Sequence, residues 1–190
     1  MQTLIRLIVF VLTGLIFAAV GEYMFSVILR GDWSNFFGSI FFNSLYMLFV
    51  FLSSRLIFAF ITRPLAALLV YYVLYGATGL AVEWYLIGNS PWGNPDASQW
   101  GMFAYWTSMS MMALIFSDPL PRPGLGRLRR IIAASFAAFA AFSIGLGYAI
   151  PDDGLRFAAM IWLVVLGYTL LTLFYFPYAR MVARPEGGGG

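Results

Sequence analysis

The chain contains no cysteine and no histidine, and all 11 of its basic residues are arginine. Without cysteine and histidine, the protein cannot form disulfides, use thiolate chemistry, build zinc sites from those residues or ligate haem through histidine. Without lysine, it cannot form a Schiff base with a cofactor. We therefore predict no cofactor and no metal site. The groups left for chemistry are carboxylates, hydroxyls, amides and backbone carbonyls.

Charge is scarce as well, since 10% of the residues are charged whereas 62% are hydrophobic and 19% aromatic. A mean hydropathy of +0.85 is typical of an integral membrane protein. The apolar runs are long enough for helices that cross a bilayer, and the alternation of barrel strands is missing. The sequence predicts an all-α, polytopic membrane protein that does not bind nucleic acid.

Six apolar runs divide the chain, and polar or proline-containing turns separate them. We predict one transmembrane domain over residues 1–184 and a flexible tail at 185–190. The first run is too long for the apolar region of a signal peptide, so we interpret it as an uncleaved span. The connection at 118–130 is the most strongly charged stretch and is predicted to be a loop. The predicted spans are residues 4–29, 36–62, 65–87, 99–116, 131–150 and 155–177.

The arginines are distributed unequally between the two ends of this predicted bundle. Six spans put both termini on one side, and only Arg30 and Arg156 then lie on the other. Because cytoplasmic loops of membrane proteins carry the excess of basic residues, we predict cytoplasmic termini in a bacterial-type cytoplasmic membrane. The arginines on the predicted inner side, with Arg55 near the same end, are Arg6, Arg63, Arg122, Arg127, Arg129, Arg130, Arg180 and Arg184.

Two acidic residues, Glu22 and Glu83, fall inside apolar runs toward the outer ends of the first and third spans. Each shares a helix face with small residues, such as Gly14 before Glu22 and Gly79 before Glu83. An ionisable group at mid-bilayer costs at least about 2.5–3.5 kcal/mol, which makes both carboxyl groups candidates for a functional site. A structural role, in which they are hydrogen-bonded between helices, stays open.

Further polar residues surround these two acids. Asn43 lies at a similar depth in the second span, and Trp84, Asn89 and Asn94 flank or belong to a loop at 88–98 that is rich in proline, glycine and asparagine. We predict that Glu22 and Glu83 approach one another, or share a water-filled cavity with Asn43, beneath this loop. The sequence thus predicts an acidic vestibule on the outer side of the membrane.

Two other predictions concern packing. Near the inner ends of spans two and four, Arg55 and Asp118 are expected to form a polar pair. In the fifth span, small residues recur every fourth position, and this pattern lets helices approach closely, so the fifth span is predicted to be central. The small residues are Ala133, Ala137, Ala141 and Gly145.

The sequence leaves three kinds of function open. In the first, the protein binds and translocates a small solute or ion through the acidic vestibule. In the second, it is a structural, pigment-binding or lipid-binding subunit of a larger membrane complex. In the third, a carboxyl group protonates a lipid-soluble substrate whose cation is stabilised by aromatic side chains. We favour the first and expect an enzyme least. The expected partners are membrane lipids and either further copies of the chain or other membrane subunits.

Overall fold

The computed structural model describes residues 2–93 and 98–183, and within these ranges the chain is helical and contains no strand. The predicted all-α fold is confirmed. Asn94, Arg184 and the predicted tail lie outside the described residues. The elements in chain order are α1 (Gln2–Glu22), a π-helical segment (Tyr23–Ile28), α2 (Trp33–Phe60), α3 (Pro64–Val82), a second π-helical segment (Glu83–Ile87), α4 (Gln99–Ser117), α5 (Leu125–Ala149), α6 (Asp153–Thr172) and α7 (Tyr175–Ala183).

Five helical stretches in the described part of the chain are long and apolar enough to cross a membrane. They match five of the six predicted spans, and the remaining predicted span, residues 99–116, corresponds to α4. The protein is therefore a multi-pass helical membrane bundle. The five stretches are Gln2–Ile28, Trp33–Phe60, Pro64–Ile87, Leu125–Ala149 and Asp153–Ala183.

The central helix of the bundle is α4. It packs against α1, α3 and α6, and 14 of its 19 residues are buried. At a rise of about 1.5 Å per residue, α4 is about 28 Å long, which is close to the thickness of the hydrocarbon core. Its methionine-rich stretch, Met109 to Met112, is buried among helix contacts. Because protein rather than lipid surrounds α4, this helix can be less apolar than the five stretches that are apolar enough to span a membrane.

The prediction that the fifth span is central is wrong. Helix α5 lies at the periphery, where it packs on α6, on α7 and on the π-helical segment after α1. It does so through a face that includes Ile132, Phe136 and Gly147. The small-residue face on the other side is exposed, and a side chain added at Gly145 would meet no atom within 4 Å. Small residues permit a close helix contact but do not require one.

The helices of the last two predicted spans differ from the predicted boundaries for local reasons. Helix α5 starts six residues earlier than predicted, directly after Gly124 at φ 84°, because Leu125 and Leu128 bury their side chains. The arginine-rich connection is therefore partly helical. The final span breaks between α6 and α7, where Pro177 lacks the N–H that a continuous helix would use.

The bundle has two chemically different ends. We call the end that contains Arg6, Thr62, Pro64, Asp118 and Tyr178 the arginine-rich end, since these residues surround one cavity there. The opposite end holds the two intramembrane acids, and we call it the glutamate end. Its first connection is tight, because Gly31 adopts a φ of 66° and the Asp32 side chain accepts a hydrogen bond from the N–H of Asn35 at 2.8 Å.

Candidate functional site

Glu22 is the last residue of α1 and is held by two neighbouring helices. The hydroxyl of Tyr105 on α4 donates to Oε1 of Glu22 at 2.8 Å, and Nδ2 of Asn43 on α2 donates to the same oxygen at 3.1 Å. Asn43 is 2% exposed, and its amide also lies 3.1 Å from the Tyr105 hydroxyl. Glu22 itself is half-buried. Both hydrogen bonds from described residues reach Oε1, so Oε2 accepts none from this part of the chain.

A tyrosine hydroxyl from α6 interrupts the backbone hydrogen bonding of α1 just before Glu22. The Tyr168 hydroxyl donates to the carbonyl of Phe17 at 2.6 Å and accepts from the N–H of Gly21 at 3.0 Å. In a regular α-helix these two backbone groups would bond to each other, so the hydroxyl is inserted into the helical ladder. The π-helical segment begins two residues later, at Tyr23. Tyr168 thus fixes the local backbone from which the Glu22 side chain projects.

Glu83 is also placed where an α-helix becomes π-helical, and it is 8% exposed. Nε1 of Trp106 donates to its Oε1 at 2.9 Å, and Nδ2 of Asn89 donates to its Oε2 at 2.8 Å. The backbone carbonyl of Glu83 accepts from the N–H of Asn89 at 2.8 Å. Isolated π-helical turns are rare in helical proteins and occur frequently at functional sites.

Side-chain hydrogen bonds hold the start of the 88–98 loop next to Glu83. Nε1 of Trp84 donates to Oε1 of Gln99 at 2.5 Å, and Nε2 of Gln99 donates to the carbonyl of Asn89 at 3.2 Å. Gly88 ends the helical segment with a φ of 87°, which favours glycine at this position. This network joins the end of the third span to the beginning of α4, next to the Glu83 carboxylate.

One helix carries donors to both carboxylates. Tyr105, which bonds Glu22, and Trp106, which bonds Glu83, are adjacent on α4, and their ring centroids lie 5.6 Å apart. Trp106 reaches Glu83 because α3 has no side chain at Gly79, where a Cβ would lie 2.1 Å from Trp106 Cγ. The two acids are therefore bonded by neighbouring residues of one helix, α4.

Neither carboxylate has a cationic partner among the described residues. The two ion pairs in this part of the chain join Arg122 to Asp118 and Arg156 to Asp153. The donors to Glu22 and Glu83 are amide, indole and phenol groups, which are neutral. Hydrogen bonds from neutral groups stabilise a carboxylate but leave its charge uncompensated, which is costly in a medium of low dielectric constant. A proton or a small cation would compensate this charge.

No family model matches this chain. No curated protein and no solved structure matches it either. The assignment of a function therefore depends on the geometry of the site.

The structure corrects the predicted pair of Arg55 and Asp118. Asp118 accepts from Nε of Arg122 at 2.9 Å and from the Tyr178 hydroxyl at 3.0 Å, so nearby groups satisfy its carboxylate. The guanidinium of Arg55 lies over the ring of Phe51, 4.9 Å from its centroid. No ion pair between described residues joins Arg55 to Asp118. Arg122, four positions after Asp118, is a closer partner for this carboxylate than Arg55 on α2.

Most of the predicted site residues lie at the glutamate end, but they form two clusters instead of one. Glu22 and Asn43 are joined by a hydrogen bond. Glu83 bonds Asn89 and not Asn43, and Trp84 orients the loop rather than the carboxylate. The two cavities described in this structure lie at the opposite end. Asn94 is outside the described residues.

Sequence reasoning missed the residues that hold the acids. The sequence did not identify Tyr105, Trp106 or Tyr168 as site residues. A signal was present, because a buried tyrosine or tryptophan inside a span needs an acceptor for its polar hydrogen. The π-helical segments had no signal that we recognise in the sequence. Their presence at both glutamates is a feature that only the structure provides.

Proposed function

We propose that the protein binds a small cation, a proton included, at the Glu22 and Glu83 carboxylates and passes it across the membrane. The observation that carries this proposal is the absence of a cationic partner for either acid among the described residues, although both lie within helical spans. A carboxylate in such a place is neutralised most simply by a proton or by a bound cation. A purely structural contact would be made at lower cost by a neutral amide.

The way the acids are held supports reversible binding. Glu83 is bonded through both oxygens, whereas Glu22 is half-buried and uses one oxygen for its bonds to described residues. Glu22 therefore offers the more accessible ligand atom, and Glu83 the more enclosed one. Since Tyr105 and Trp106 are adjacent on α4, a change of charge at one acid alters the hydrogen bonding next to the other.

We further propose that the glutamate end faces away from the cytoplasm. The arginine distribution supports this orientation, because Arg30 and Arg156 are the described arginines at that end and the other eight described arginines belong to the opposite side. The acidic site is then reached from outside.

The test is flux into proteoliposomes, measured for protons, for alkali and divalent cations and for small organic cations. We expect wild-type protein to carry a saturable flux of at least one of them. The variants Glu22→Gln and Glu83→Gln keep the side-chain shape and remove the charge. Because a hydrogen bond or contact to a charged ligand contributes about 1.5–3 kcal/mol, each is expected to lower binding-limited flux about tenfold or more.

The matched control is Asp32→Asn, which removes an exposed acid at the same end and keeps its helix cap. This variant should carry the wild-type flux. If wild type carries no flux across the panel, or if both glutamine variants fold and carry the wild-type flux, the proposal is wrong. The assembly-subunit interpretation would then be preferred, and purification under native conditions should bring partner subunits with the chain.

A further inference from the structure

Two adjoining cavities open at the arginine-rich end, on the opposite side of the bundle from the glutamate end. One has a volume of about 560 Å³ and the other about 350 Å³. Arg6, Phe58 and Leu114 line both, so the two cavities are parts of one cleft. We call it the basic cleft. Its larger part lies within the range of about 300–1,000 Å³ that is usual for small-molecule sites.

The charge in the basic cleft is predominantly positive. Arg6 and Arg122 line the larger part, and Arg6 and Arg55 line the smaller one. The acid in the larger part, Asp118, is already satisfied, because it accepts from Arg122, from Tyr178 and from the N–H of Leu120 at 3.0 Å. The ion pairs between described residues leave Arg6 and Arg55 without a carboxylate. Two guanidinium groups are therefore available to an anion.

The remaining walls are apolar and border the lipid-facing surface. The smaller part of the cleft is lined by Phe10, Phe51 and Phe58, together with Leu114. Phe58 is 40% exposed and forms part of the outer surface of the bundle, whereas Phe10, Phe51 and Leu114 are buried. Arg55 places its guanidinium over the Phe51 ring, which keeps the charged group beside this apolar wall. A ligand that fits must therefore combine an anionic group with hydrocarbon.

We propose that the basic cleft binds an anionic phospholipid, with its phosphate on Arg6 and Arg55 and its acyl chains against the phenylalanine wall. Guanidinium groups match the geometry of phosphate oxygens and bond them in pairs. The cleft lies at the end of the bundle where α1 and α3 begin and α2 ends, which is the depth of lipid headgroups. A free phosphate would use the arginines but would leave the apolar wall unused, so the lipid is the better fit.

Competition between lipids tests the proposal on the purified full chain in neutral detergent. The probes are dioleoyl phosphatidylglycerol, dioleoyl phosphatidylcholine and the soluble headgroup analogue glycerol 3-phosphate, with bound lipid counted by native mass spectrometry. We expect phosphatidylglycerol to bind preferentially. An arginine near a phosphate changes affinity about fivefold, so Arg6→Gln and Arg55→Gln should each weaken binding about fivefold and the double variant about thirtyfold.

Two variants serve as controls. Arg30→Gln removes an exposed arginine at the glutamate end and should leave phosphatidylglycerol binding unchanged. Arg55→Lys keeps the charge and should recover most of the affinity that Arg55→Gln loses, which separates a charge effect from a folding defect. Equal binding of the two lipids, or unchanged binding in the double variant, would overturn the proposal. Full displacement of the lipid by glycerol 3-phosphate would show instead that the site takes soluble phosphates.

Discussion

The contact between Gly79 on α3 and Trp106 on α4 gives the sharpest test of how the site is built. A Cβ at position 79 would lie 2.1 Å from Cγ and 2.3 Å from Cβ of Trp106. That is about 1.4 Å closer than the ~3.5 Å at which carbon atoms pack best. Because Trp106 Cβ is fixed to the α4 backbone, rotation of the indole cannot relieve the clash, and α3 and α4 must separate.

We therefore expect Gly79→Ala to destabilise the bundle. Overpacking of this kind costs about 1–3 kcal/mol, and the upper part of that range applies where backbone has to move. Alanine recovers about 1 kcal/mol through its higher helix propensity, so the expected net loss is about 2 kcal/mol. The loss can be measured by unfolding the purified protein in mixed detergent micelles with increasing dodecyl sulfate, followed by circular dichroism.

Gly145→Ala is the matched control, because it lies in a helix interior where an added Cβ meets no atom within 4 Å. It should stabilise the protein by about 0.5–1 kcal/mol. If Gly79→Ala and Gly145→Ala are equally stable, the close approach of α3 to α4 is wrong. The placement of Trp106 against Glu83 would then have to be abandoned as well.

Two further changes test other parts of the glutamate end with the same unfolding assay. Tyr168→Phe removes the hydroxyl between Phe17 and Gly21, and loss of this buried hydrogen-bond partner should cost about 1–3 kcal/mol of stability. The control Tyr85→Phe, at an exposed position, should cost nothing measurable. Equal stability of the two variants would contradict the inserted hydroxyl. Asp32→Ala removes the cap of α2 and should cost about 1 kcal/mol, while Asp32→Asn retains it. An alanine variant as stable as the asparagine variant would exclude a capping role.

The helical class and most helix boundaries could be predicted because the bilayer constrains them directly. Apolar runs of sufficient length, ended by glycine, proline or an N-cap such as Asp32, leave few alternatives to spanning helices. The same constraint identified Glu22 and Glu83, since a carboxyl group inside an apolar run is rare and costly. Their positions in the structure follow from one-dimensional spacing and needed no knowledge of neighbouring helices.

The arrangement of helices around one another could not be predicted in the same way. The small residues of α5 suggested a central helix, but they remain exposed, whereas the polar and methionine-rich α4 occupies the centre. Lipid exposure sets a lower limit on hydropathy, and α4 is not among the five stretches that are apolar enough to span, so protein has to surround it. The predicted pairing of Asp118 with Arg55 was wrong for a different reason, because Arg122, four residues after Asp118, competed with the distant Arg55.

The central position of α4 has a consequence for the way the chain enters the membrane. Helices α1 and α3, which cover two flanks of α4, are synthesised before it, but α6 is synthesised after it. The flank that carries Trp100 and Tyr105 meets α6 through Thr169 and Tyr168. Until α6 has emerged from the ribosome, the polar side of α4 has no protein cover on this flank. Integration of α4 is thus completed only by α6, and a product truncated before Asp153 would present the Glu22 side of the site to lipid.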